Sequence, residues 1–156
     1  MRARAAGPAR ILVFAALVAL VTATCGEFTP TTEQDSPTDF GGIVAELQIV
    51  GINVDHVVSG DAGCDDQQLA RTAIGFDAVG IDQATTVRIY LYAFKDQPTY
   101  DELRASVDTC ARSYVTDPAA FGSVDAPPYV LAGNGPWAPA FKAALRTALQ
   151  RAAVGG

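Results

Sequence analysis

The sequence predicts an α+β domain, a four-stranded mixed or antiparallel sheet covered mainly on one side by helices. Three observations carry that expectation. Thr86 to Asp96, TVRIYLYAFKD, alternates Val87, Ile89, Leu91 and Ala93 with Arg88, Tyr90, Tyr92 and Phe94, and β-branched and aromatic residues in that period suit a strand with both faces covered. Ala73 to Val79 precedes it across a short loop, and consecutive strands so joined pair as an antiparallel hairpin. Two later segments carry apolar residues at helical spacing.

In chain order, Ser36 as cap, Pro37 in the first turn and Phe40, Ile43, Val44 and Leu47 at helical spacing predict a first helix that Gly51 ends. Ile52 to Val58 reads as a strand that places His56 on the face opposite Asp55, and Ser59-Gly60-Asp61-Ala62-Gly63 as a turn. Asp65 to Arg71 predicts at most two helical turns. The segment from Gly80 to Thr85 is expected to be the loop between the two hairpin strands.

Thr99-Tyr100-Asp101-Glu102 behind Pro98 has the pattern of a capping box, with Tyr100, Leu103, Val107, Cys110, Ala111 and Tyr114 on one stripe. Val115 to Pro127, rich in Gly, Pro and Asp, reads as loop. Pro128 to Ala132 reads as a short strand, Gly133-Asn134-Gly135-Pro136 as a turn, and the segment from Pro139 as a helix with Phe141, Leu145, Leu149 and Ala152 inward. The inner βαββαβ run permits a ferredoxin-like order.

The first residues have the layout of an export signal. Met1 to Arg10 holds three arginines and no acid, Ile11 to Val21 is an apolar run of 11, and small residues follow. Residues 1–24 are therefore expected to be a signal peptide. Thr22-Ala23-Thr24-Cys25 resembles the lipobox of bacterial lipoproteins, whose cysteine becomes the lipidated first residue. It departs from that pattern at Thr22, where leucine is usual, and at Thr24, where glycine or alanine is usual. Cleavage after Ala23 by an ordinary signal peptidase is the other reading. Residues 25–38, rich in Thr, Pro, Asp and Glu, are expected to be a disordered tether, leaving residues 39–156 as a single domain.

Of the three cysteines, Cys25, Cys64 and Cys110, an acylated Cys25 leaves the other two to pair. In an oxidising compartment a Cys64–Cys110 disulfide is expected, worth roughly 4 kcal/mol through chain entropy. Without Arg2, Arg4 and Arg10 the chain holds 8 basic residues against 17 acidic, a net charge near −9, which argues against nucleic acid as a partner.

A helix ending in Leu47 to Gly51 and running into Ile52-Asn53-Val54, the central Ile89 to Asp96 followed by a helix, and Pro127-Pro128-Tyr129-Val130-Leu131 before a closing helix look like the layout of small uncharacterised bacterial lipoproteins. The resemblance covers most of the domain at the level of pattern. It implies a tethered extracytoplasmic domain and supplies no activity.

Chemistry-bearing motifs are sparse. Asp61, Asp65 and Asp66 lack the spacing of a calcium loop and suit turns and caps. His56 is the sole histidine, so a site of several imidazoles is excluded. Gly133-Asn134-Gly135 lacks the third glycine and lysine of a phosphate loop. No cofactor or metal is implied. The aromatic face of Arg88, Tyr90, Tyr92 and Phe94, joined by Tyr129 and Trp137, is the candidate binding surface if it is not core, its partner an envelope protein or a small ligand. The expected role is non-enzymatic, and the competing one is a hydrolase using carboxylates such as Asp77 or Glu102.

Overall fold

The computed structural model describes residues 40–155. The expected signal peptide, tether and lipidation site at Cys25, and the proposed cap at Ser36, lie outside the described residues. In order, the elements are α1 (Phe40–Ile49), β1 (Ile52–Ser59), α2 (Gln67–Ala70), β2 (Ala73–Gly80), β3 (Gln83–Ala93), α3 (Gln97–Ala111), β4 (Phe121–Ala126), β5 (Tyr129–Asn134) and α4 (Pro139–Gly155), with a 3-10 turn at Pro118–Ala120. The α+β class holds, and the sheet has five strands in the order β1-β2-β3-β5-β4, every neighbouring pair antiparallel.

The extra strand is β4, in the segment read as loop. Its Gly122 and Ser123 give a weak strand pattern, but the glycine has a packing reason. A Cβ at Gly122 would sit 2.6 Å from the Trp137 ring, so the bare backbone is what lets the indole lie against the strand. β4 turns through Pro127-Pro128 into β5, with Val124 opposite Leu131.

The ferredoxin-like order is not found. It would separate the first two strands of the βαββαβ run, whereas β1 pairs directly with β2. α2 is the reason: four residues make about 6 Å of helix, too little to carry a chain back along a strand.

Helices cover both faces, not mainly one. On one side α1 and α4 pack together and onto the sheet, burying Ile43, Leu47, Phe76, Ile89, Leu91, Leu131, Phe141, Leu145 and Leu149. On the other, α2 and α3 cover Tyr92, Phe94, Val130 and Ala132 with Leu69, Val107 and Cys110. The alternation of β3 into aliphatic and aromatic sets is therefore a division between two cores.

Three boundaries shift for local reasons. β3 begins at Gln83, inside the segment expected as loop, because Gly80 and Gln83 already pair across a turn of Ile81 and Asp82. α3 begins before the expected capping box: Asp96 accepts from the Thr99 amide at 2.9 Å and from its hydroxyl at 2.6 Å, with Pro98 in the first turn. Asp66, not Asp65, caps α2, accepting from the Gln68 and Leu69 amides.

Candidate functional site

The aromatic side of β3 ends in a sealed layer. Cys64, in the loop after β1, is bonded to Cys110 of α3, with their Cα atoms 5.5 Å apart. Beneath it, Tyr92 Oη donates to the Ala62 carbonyl at 2.8 Å and lies 3.4 Å from Tyr114 Oη. The rings of Tyr90 and Tyr114 meet at 4.5 Å, and Gly63, at φ +75°, leaves them room: a Cβ there would stand 2.6 Å from the Tyr114 ring. Burial raises the Tyr92 phenol far above its ordinary range and pushes Tyr114 up to about 12.

The six residues of the candidate binding face are not one surface. Tyr90, Tyr92 and Phe94 are 9%, 0% and 3% exposed, covered by α2, α3 and the disulfide loop. Tyr129 and Trp137 belong to the opposite core, Trp137 edge-on to Phe141 at 6.4 Å. Arg88 alone of the set is substantially open, its side chain 28% exposed.

Arg88 instead organises a charged cluster where the helical cover ends. Asp55 faces Asp77 across β1 and β2, and Asp77 faces Arg88 across β2 and β3. Like charges directly opposite repel; here the His56 ring lies against both carboxylates and Arg88 pairs with Asp77. Arg88 Nη2 donates to Asp61 Oδ2 at 2.6 Å, and Nη1 donates to Asp77 Oδ1 at 3.3 Å and to the His56 carbonyl at 2.9 Å. His56 Nδ1 lies 3.2 Å from Asp77 Oδ2 and 3.6 Å from Asp55 Oδ2. Burial opposes the charge on Arg88, but its hydrogen bonds to Asp61 and Asp77 outweigh it, and its pKa rises.

The expectation that His56 faces away from Asp55 fails at a bulge. The register shifts between Asp55 and Val58, and His56 takes φ +47°, so the period of two is broken and the imidazole swings to the carboxylates. Its side chain is 73% exposed. The hairpin register made Asp77 and Arg88 a findable pair; Asp61, brought in by a loop, left no sequence signal.

A second set lies on α3. Arg104 Nη1 donates to Asp108 at 2.7 Å, its Nε donates to Asp125 of β4, and the Tyr100 hydroxyl donates to Asp125 at 3.2 Å. Glu102 is exposed on the same helix, apart from Asp77. Among the described residues no group of three or more His, Cys, Asp or Glu is placed to hold a metal ion. Gly133 and Asn134 belong to β5, and the Gly135 amide donates to the Ala120 carbonyl at 2.6 Å, so that amide is already used.

Comparison with protein-family models, curated proteins and solved structures finds no match to this chain.

Proposed function

We propose that this chain is an exported, non-catalytic binding or structural domain of a cell envelope, held at the membrane by a lipid on Cys25, with release after cleavage behind Ala23 as the other form. The observation that carries the reading is the Cys64–Cys110 disulfide packed against the aromatic layer. A bond that joins a loop to α3 over 46 residues belongs to an oxidising compartment. The basic and apolar opening of the chain supports the same location, and the acidic balance turns it away from nucleic acid. The partner is an envelope protein or a small ligand.

Binding is favoured over catalysis by how the polar groups are engaged. Both oxygens of Asp77 already face Arg88 and His56, so the carboxylate is engaged within the sheet. One observation favours a carboxylate hydrolase as a second reading: Asp77 stands within reach of the sole imidazole. Hydrolytic turnover lost in Asp77→Asn would establish it.

Mass spectrometry of the mature protein after cell fractionation tests the proposal. An acylated Cys25 in the membrane fraction, with Cys64 and Cys110 joined, is the expected result. An intact Met1 in the cytosol with all thiols reduced would overturn it.

A further inference from the structure

We infer that the groove between the C-terminal end of α3 and the segment leading into β4 binds an amphipathic carboxylate, an apolar chain or ring with one anionic head. This names a ligand class for the binding role proposed above and rests on it. The groove has a volume of about 570 Å³, in the range that encloses small organic ligands. Ala111, Val115, Pro118 and Phe121 give it an apolar lining, and Phe121 in turn packs against the aromatic layer.

The charged lining decides the head group. It consists of Arg104, Asp108 and Arg112, a net positive lining on a chain whose formal charge is −6. Arg104 and Asp108 neutralise each other at 2.7 Å, and Arg104 also holds Asp125, outside the groove. Arg112 is exposed and, among the described residues, has no side-chain partner. It caps the C-terminus of α3, where the helix dipole favours a cation. Its guanidinium is the one charge of the lining left to pair, and it matches a carboxylate in two parallel hydrogen bonds. A cationic head would meet Arg112 as a like charge, and a neutral one would leave it as it is.

The test is a titration of the ¹⁵N-labelled full chain carrying Cys25→Ser, disulfide formed, with sodium octanoate, octan-1-ol and octyltrimethylammonium. Octanoate should shift the amides from Ala111 to Phe121 saturably, octanol should bind about tenfold more weakly, and the ammonium compound should not bind. Arg112→Gln should bring octanoate down to the octanol affinity while leaving octanol unchanged; Thr116→Trp, which fills the groove, should abolish both. Equal affinity for octanoate and octanol, an unchanged octanoate affinity in Arg112→Gln, shifts confined to other residues, or no shifts at all would each overturn the inference. Because the titrated chain cannot be acylated, a null result leaves export and tethering standing, and a cytosolic location leaves the titration readable.

Discussion

Arg88 reaches Asp61, Nη2 to Oδ2 at 2.6 Å, across the bare backbone of Gly75. A Cβ on Gly75 would stand 2.5 Å from that nitrogen and 2.6 Å from that oxygen. The atoms in the way are the ends of flexible side chains, so Gly75→Ala should leave the strand in place and separate the pair. Both partners are about a third exposed, and such pairs are screened. The expected loss is therefore below about 1 kcal/mol. The diagnostic is non-additivity: in urea denaturation, Gly75→Ala should cost little more once Asp61→Asn is present. Full additivity would show that the glycine is there for another reason.

The disulfide should dominate stability. A loop of 46 residues corresponds to about 4 kcal/mol on the chain-entropy model, a large part of what a domain of this size possesses. Cys64→Ser with Cys110→Ser should lower the urea midpoint by that equivalent, and reductant should do the same to the native chain while leaving the double variant unmoved. A midpoint indifferent to reductant would sink this expectation.

How much of this was legible in the sequence depended on the range of the interaction that set each feature. α1, β3 and α4 were readable because their periodicity is local and strong, and the β2–β3 hairpin because its turn is short. β4 was not: Gly122 looks like loop until Trp137, 15 positions on, is laid against it. The aromatic face is legible as core or binding surface, but not what covers it, since that takes α2, α3 and the disulfide loop together. The position of His56 is not legible in the alternation, because a bulge overrides it. The Arg112 groove has no sequence signature: its lining is drawn from a helix end and an irregular connection.

Alkaline titration should separate the tyrosines. Tyr90, Tyr92, Tyr100 and Tyr114 all have phenol pKa values above the ordinary 10.0, burial being the largest cause in each. A phenol raised in the folded state holds its proton more tightly there than in the unfolded chain. Its stabilisation is complete below pH 10 and is lost as pH climbs through the folded values. The denaturation midpoint should thus stay level with respect to these groups up to that point and then fall. In the folded protein Tyr114 should ionise at about 12, and Tyr92 only as the chain unfolds. If phenolate absorbance reported all five tyrosines ionising together near pH 10 with the fold intact, the sealed layer would be refuted.

The β2–β3 turn fastens α4. Asp82 accepts from the Ala140 amide at 3.0 Å and the Phe141 amide at 2.8 Å, and Gln83 Oε1 accepts from the Ala138 amide at 2.9 Å. A cap supplied from 58 positions upstream couples the closing helix to the central hairpin, so it should report on tertiary stability and not on helix propensity alone. The hydrogen bond from Ala140, the largest cause, together with that from Phe141 holds the Asp82 carboxyl below its ordinary 3.8. A carboxylate lowered in the folded state stabilises above its unfolded pKa, and the contribution disappears as pH falls through the folded value. Asp82→Ala should therefore lower the melting temperature at neutral pH, and Asp82→Asn, which keeps an acceptor, should lower it less. Below the ordinary carboxylate range the native chain and Asp82→Asn should converge, because a protonated Asp82 offers the amides no more charge than an amide side chain does. A gap between those two that persists undiminished in acid would mean that the negative charge of Asp82 is not what holds the start of α4.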